Sequence, residues 1–248
     1  PAEWETPEAT WLAWPHKAGD WPGKLPAIHW VYGEIVRKLA VGEKVRVLVD
    51  SPAAEQRARH VLTAARADMT QVEFFRIPTD RGWTRDSGPL FLRPMPHAAS
   101  QSAQGYRRRR IGQASPRPAD ATSPPAPLVI ADFHFNGWAK YPDFKLDRRV
   151  PQRVARKLGL PLIHAVHCGR KVVLEGGGID VNGRGTVLTT EECYLDQQVQ
   201  VRNPGFTRQD YQEVFRRYLG AGNVLWLGRG IAGDDTHGHV DDVCRFVG

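Results

Sequence analysis

The chain has 248 residues, 41% of them hydrophobic and 25% charged, and carries a formal net charge of +7. That is ordinary globular composition with length for one sizeable core, so a single domain is expected. No run approaches the ~18 apolar residues of a membrane span, and no basic region followed by an apolar stretch opens the chain, so a membrane segment and a signal peptide are both disfavoured and a cytoplasmic location is expected.

In chain order, residues 27–40 place Ile28, Val31, Ile35 and Leu39 at helical spacing, and residues 45–49 follow as a β-branched run. Residues 53–67, rich in Ala and Arg, predict a helix, and residues 72–77 a strand. From residue 94 to 127 the composition turns to Pro, Ser, Ala, Gln and Arg with almost no large apolar side chain. Such a segment cannot bury enough surface to offset chain entropy, so it is expected to be a flexible insertion between two strands. Order resumes with a strand at 128–135, a helix at 147–158, strands at 160–166 and 171–174, and a hairpin pairing 179–181 with 186–189 around the turn signal Asn182-Gly183. Thr207 is a candidate N-cap for a helix running to about residue 218, followed by strands at 223–227 and 240–247. Repeated strand-helix-strand units with inserted hairpins argue for α/β or α+β architecture without fixing its topology.

The charge is unevenly spread. Residues 93–127 hold six arginines against the single acid Asp120, leaving little excess for the rest of the chain. Basicity concentrated in one Pro/Ser/Ala/Arg-rich segment describes a charged loop rather than a nucleic-acid-binding face. The three cysteines, Cys168, Cys193 and Cys244, match neither a zinc ribbon nor a disulfide framework. They are expected to be small buried residues, Cys193 and Cys244 because they lie within or beside apolar segments that predict strands.

Three separated segments carry chemistry: Trp83-Thr84-Arg85-Asp86-Ser87-Gly88-Pro89, Leu174-Glu175-Gly176-Gly177-Gly178 and Thr236-His237-Gly238-His239-Val240-Asp241. Together they offer three carboxylates and a histidine in glycine-containing contexts. A guanidinium is planar, always charged and rich in in-plane N–H donors, so carboxylates arranged around its edge suit its capture. Each residue also has a plainer reading. Asp86 could pair with Arg85 on the surface, the glycines could make a tight turn, and His239 could be a structural residue with a satisfied hydrogen bond. If residues 240–247 are a strand, His239 and Asp241 share a face with His237, and these three could also bind a metal. A phosphate-cradling role for the glycines is weak, because Ile179-Asp180-Val181 predicts a strand rather than a helix opening.

The same segments, with Leu174 to Thr186, Thr189 to Asp196, the following Arg202-Asn203-Pro204 and the opening residues 1–15, resemble successive signature segments of the agmatine deiminase family, which includes bacterial peptidylarginine-deiminase-like proteins. The resemblance runs in order over nearly the whole chain. It implies a pentein fold, an α/β propeller with pseudo-fivefold symmetry and a central active site. It also implies a nucleophilic cysteine in a Gly-rich segment near the C-terminus. No such segment occurs before Gly248, so an incomplete domain lacking its last blade is expected.

By resemblance, Asp86 and Asp241 bind the guanidinium, Glu175 orients the histidine or touches substrate, and His239 protonates the leaving nitrogen and activates water. Trp83 is a candidate substrate contact, and Trp138 and Asp235 are weaker candidates for the channel wall. No metal and no organic cofactor are implied. The expected substrate is a small guanidino compound, agmatine first, with arginine, a peptidylarginine or amidino transfer as alternatives. A non-catalytic guanidine-binding protein is the competitor from another class. Neither nucleic acid nor membrane is an expected partner, and a homo-oligomer is compatible with the reading. The chain alone is expected to lack deiminase activity.

Overall fold

The computed structural model describes residues 2–93 and 128–248. The predicted insertion at 94–127 therefore lies outside the described residues. The first unit alternates strand and helix: β1 (Ala9–Ala13), α1 (Leu25–Leu39), β2 (Lys44–Val49), α2 (Pro52–Ala64) and β3 (Val72–Arg76). Pro26 opens α1, where its missing N–H costs nothing, and Ser51 caps α2 by accepting from the Ala54 N–H at 3.2 Å. The three strands pair in parallel in the order β1-β2-β3. Alternation along β2 explains its two faces. Val45, Val47 and Val49 bury themselves with Val36, Ala58 and Leu62 of the helices. Leu48 faces a second core holding Ile130, Val150 and Val154. A parallel sheet covered on both faces needs this near-continuous apolar strand.

The chain then makes a helical turn, α3 (Thr84–Ser87), and strand β4 (Leu90–Leu92), which pairs antiparallel with β5 (Val129–Asp132). Helix α4 (Val150–Leu158) closes on Gly159 in the left-handed region (φ +66°). It returns the chain to β6 (Leu162–His164), parallel to β5. The expected strand at 128–135 is thus shorter, with His134 bridging separately to Val173, and the expected strand at 160–166 divides into β6 and the first arm of a small hairpin, β7 (Val166–His167) and β8 (Arg170–Lys171). Residues 172–174 leave the ladder expected at 171–174 and run into the glycines of the site.

The predicted hairpin is present as β9 (Asp180–Val181) and β10 (Thr186–Thr190), with Val181 opposite Val187. Next comes α5 (Glu191–Leu195), a helix the sequence reading lacked, capped by the Thr190 hydroxyl on the Cys193 N–H at 3.0 Å. Helix α6 (Arg208–Val214) begins at Thr207 in a full capping box with Asp210 and continues as a π turn to Leu219. Strand β11 (Asn223–Leu227) pairs in parallel with β10. Tyr194, Tyr211 and Phe215 form the centre of the core between these elements.

Two expectations fail here. Residues 240–247 are not a strand: Val240–Asp242 forms a single 3-10 turn and the chain beyond it is irregular. Only Val240 of that run is buried, so alternation had no second strand to satisfy. Of the cysteines, only Cys193 is buried, whereas Cys168 and Cys244 are exposed. The architecture is mixed α/β, and no described helix is long and apolar enough to cross a membrane.

Candidate functional site

Three turns converge at the ends of these sheets. The α3 turn presents Asp86, the 3-10 turn Gly176–Gly178 follows Glu175, and the 3-10 turn Val240–Asp242 follows His239. The four principal residues expected from the sequence are brought together. His239, nearly inaccessible, lies among three carboxylates: its Nε2 is 3.3 Å from Glu175 Oε2, and its Nδ1 is 3.6 Å from Asp86 Oδ1 and 3.9 Å from Asp241 Oδ1. The strand geometry invoked for His239 and Asp241 is absent, yet the turn brings both side chains to the same cluster.

Glycine at 177 is a spatial requirement. A Cβ there would stand 2.4 Å from His239 Nδ1 and 2.7 Å from Asp86 Oδ1, and one at 176 would stand 2.1 Å from the Arg85 carbonyl. The glycines let the 175–178 backbone pass through the cluster, and the Gly177 N–H donates to Asp86 Oδ1 at 3.0 Å. They are therefore part of the site rather than a plain turn.

Asp86 does not take the surface pairing with Arg85. The Arg85 guanidinium instead meets Glu3, the Ile179 carbonyl at 3.1 Å and Asp241 Oδ2 at 3.6 Å. Asp86 is held by two neutral donors, Gly177 N–H and Trp138 Nε1 at 3.1 Å. Burial pushes its carboxyl up to about 6, opposed by His239 and reinforced by the negative charge of Glu175. Glu175 shows the opposite balance. Burial favours its proton, but Arg202, with Nε 3.2 and 3.0 Å from the two carboxylate oxygens, and His239 together hold it below the usual carboxylate range. Burial also works against a proton on His239, and the Glu175 hydrogen bond and Asp86 charge outweigh it, leaving the imidazole above its ordinary value.

Arg202 was not singled out from the sequence beyond its place in the Arg-Asn-Pro segment. Its remaining donors reach the carbonyls of Gln200, at 3.0 Å, and Thr236, so one buried guanidinium ties three site segments together. A buried, ionised carboxylate such as Glu175 needs such a partner, but its burial is visible only in the structure. Asp234 is a second missed residue. Its Oδ2 accepts from the Gly238 N–H at 2.9 Å and the His239 N–H at 3.2 Å, which sets the backbone that presents the histidine.

The aromatic candidates divide. Trp138 is buried and bonds Asp86 from a strained loop in which Gly137, Trp138 and Ala139 all have positive φ, at +68°, +59° and +52°. Gln200 Nε2 ties this loop to the histidine segment through the carbonyls of Trp138, at 3.1 Å, and Asp235, at 3.2 Å. Asp235 itself receives Lys140 and, at 2.7 Å, the Tyr141 hydroxyl. Trp83 holds the α3 turn through its carbonyl, while the residue is 41% exposed and its indole packs on Trp21 with centroids 5.5 Å apart.

The metal grouping His237, His239 and Asp241 is not assembled, because the His237 ring turns to Asp196, with Nε2 2.8 Å from Oδ2. Another mixed donor group, Glu175, Cys193 and His239, has its ligand atoms within 4.8 Å of one another. It is a poor metal site. Glu175 is already committed to Arg202, and burial pushes the Cys193 thiol far up, so the thiolate a metal needs is disfavoured. The arrangement as a whole concentrates carboxylates around a histidine, and among the described residues no arginine or lysine pairs with Asp86.

Comparison with known proteins bears on the chain as a whole. The agmatine deiminase of Medicago truncatula is 31% identical over 253 residues, covering 100% of this chain and 58% of that protein. A Selenomonas ruminantium protein provisionally named agmatine deiminase is 33% identical over 254 residues, covering 57% of its length. The solved structure of the Enterococcus faecalis agmatine deiminase superposes with a TM-score of 0.74 at 26% identity, over 99% of this chain and 57% of that one. The chain thus spans somewhat more than half the length of the relatives it matches. Residues 1–248 match the Porphyromonas-type peptidyl-arginine deiminase family, and the chain belongs to that family.

Proposed function

We propose that the cluster binds the guanidinium of a small substrate, agmatine first, as the binding and proton-transfer part of a hydrolase that converts agmatine to N-carbamoylputrescine and ammonia. The observation that carries this reading is Asp86: a buried carboxylate that, among the described residues, is hydrogen-bonded by two neutral N–H donors and has the titratable His239 beside it, with its pKa pushed up to about 6, gains from an incoming cation. Asp86 and Asp241 would grip the edges of the planar group. Glu175 and Arg202 would hold the imidazole of His239 so that its Nδ1 side meets the substrate. The names of the matched relatives favour agmatine over free arginine or peptidylarginine.

In the reaction a thiolate attacks the central guanidino carbon, and His239 gives its proton to the departing nitrogen, which leaves as ammonia. Water then adds to the thiouronium carbon, with its proton taken by His239, and the C–S bond breaks to release the ureido product and the thiol. Cys168 and Cys244 are exposed and outside the cluster, and Cys193 is held as a thiol, so we place the nucleophile in polypeptide outside these residues. The same reading takes the sheets as blades of a pentein-type propeller, with the last blade absent here, and the protein as cytoplasmic. In it, the exposed Trp83 is left to line the approach to the cluster.

The test is ammonia release by the protein expressed from its complete reading frame, with agmatine, arginine and a peptidylarginine in parallel and His239→Ala as control. Release from agmatine alone, lost in the control, supports the proposal. No release with any of the three shifts the assignment to a guanidine-binding role, and steady ureido product from the 248-residue chain itself would refute the placement of the nucleophile.

A further inference from the structure

The β7–β8 hairpin turns over two residues that both occupy the left-handed region, Cys168 at φ +48° and Gly169 at φ +72°. This two-residue turn sets an exposed thiol at the hairpin tip, beside the ring of His167. His167 is held edge-on against Phe206, with centroids 5.3 Å apart, and its Nε2 lies 2.8 Å from Asp210 Oδ1 on the first turn of α6. The Asp210 carboxylate divides its work. Oδ2 accepts the Thr207 N–H at 2.8 Å and the Thr207 hydroxyl at 2.6 Å, which leaves Oδ1 to face the imidazole. The nearby Arg170 is engaged elsewhere, donating to the Pro204 carbonyl at 2.9 Å and lying over Phe206, so it does not neutralise that carboxylate. One donor atom from each of His167, Cys168 and Asp210 lies within 4.8 Å of the other two, and the group shares no residue with the guanidinium cluster.

We propose that His167, Cys168 and Asp210 form a binding site for a borderline-soft divalent cation of the zinc class, with water completing the shell. A nitrogen, a sulfur and a carboxylate oxygen are the donor set such an ion takes, and tetrahedral bonds of ~2.0–2.3 Å put the ligands about 3.5 Å apart. Reaching that spacing from the present one requires the exposed Cys168 side chain to rotate inward and the 2.8 Å contact between His167 and Asp210 to open by about 0.7 Å to admit the ion. On binding, the Cys168 thiol releases its proton to solvent and the thiolate ligates, while the imidazole binds through the nitrogen that now meets Asp210, so affinity rises with pH. The ion would fasten the hairpin tip to the start of α6 while the Oδ2 half of the capping box stays in place. Such a staple is independent of the catalytic reading and survives its failure.

The test is a cobalt(II) titration of the intact chain in a non-thiol reductant, with zinc as competitor. The expected result is a thiolate-to-cobalt charge-transfer absorption that saturates at one ion per chain and is removed by zinc. Cys168→Ser, at an exposed tip and confirmed as folded by circular dichroism without metal, should abolish the band. His167→Gln should weaken binding by a factor of ten or more, and Cys244→Ser, which removes the other exposed thiol, should leave the titration unchanged. A band that persists in Cys168→Ser, or a wild-type chain that shows none at millimolar cobalt, overturns the proposal.

Discussion

Two carboxylates in this molecule, Glu55 and Glu175, each meet two cationic side chains, and they could hardly differ more in consequence. Glu55, on α2, bonds Arg59 and Arg76, each at 2.9 Å, with the arginine side chains 48% and 57% exposed. Glu175 bonds Arg202 and His239 with no exposure on either Glu175 or Arg202. Around Glu55, water competes for every charge and screens what remains. Around Glu175, the charges have only one another, so each becomes a condition on the rest: Arg202 keeps Glu175 ionised, Glu175 holds His239, and His239 leaves Asp86 facing inward. The lesson is that burial, rather than the pairing itself, turns a salt bridge into a device that positions other groups.

The comparison breaks most sharply at Arg202. Arg202→Met removes one partner and leaves Glu175 buried and uncompensated, which should cost ~3–5 kcal/mol in urea unfolding near neutral pH. An effect below about 1 kcal/mol would put Glu175 in the same class as Glu55. Next comes Gly177→Ala, whose Cβ collides with His239 and Asp86. It should destabilise by ~1–3 kcal/mol and eliminate calorimetric binding of agmatine. Retained binding would show that the three turns are looser than the distances imply. Asp86→Asn should weaken agmatine binding by roughly 30-fold, about 2 kcal/mol, the worth of a hydrogen bond to a charged group. The smallest effect belongs to Arg76→Ala, expected to change stability by less than ~1 kcal/mol and less still at high salt.

The pH dependence adds a contrast inside the site, because its buried carboxylates Asp86 and Glu175 carry opposite signs. Unfolded Asp86 loses its proton near pH ~4, whereas the folded residue holds it to about 6. In that window the folded state binds more protons, so the Asp86 contribution to stability falls as pH rises from ~4 to about 6. The Asp86→Asn protein should lack this decline. Glu175, with its pKa lowered, contributes stability present above its unfolded value and lost as pH falls through the folded one. Agmatine favours ionised Asp86, so its affinity should rise about tenfold per pH unit below 6 and level off above. Equal affinity at pH 5 and pH 7 would contradict that.

Much of the first unit was legible in the sequence because each element is consistent with itself. The helical spacing of Ile28 to Leu39 and the β-branched run of β2 announce α1 and the central strand, and Ser51 and Thr207 cap helices as their residue types suggest. The site residues Asp86, Glu175, His239 and Asp241 were legible as chemistry in glycine-rich contexts, before anything showed that they meet. The misreadings share a cause. Residues 240–247 have the composition of a strand but no partner strand, and their backbone bonds instead locally, from the Val243 and Cys244 N–H groups to the Val240 carbonyl, and to a side chain, from the Phe246 N–H to Asp180 Oδ2 at 2.6 Å. Arg202 and Trp138 act through partners more than 20 residues away, Glu175 and Asp86, which no local pattern encodes. Helix α5 was missed because its signal, Thr190 followed by Glu191 and Glu192, closes a strand run and covers only five residues.

The most direct measurement of the central claim is a carboxyl-carbon NMR titration of Asp86 in the chain, with and without agmatine, assigned against Asp86→Asn. A midpoint near 6 that falls by more than one unit when agmatine is added would show a buried carboxylate awaiting a cation. A midpoint near the ordinary ~4, unmoved by agmatine, would mean that Asp86 is already satisfied and that the guanidinium is bound elsewhere or not at all.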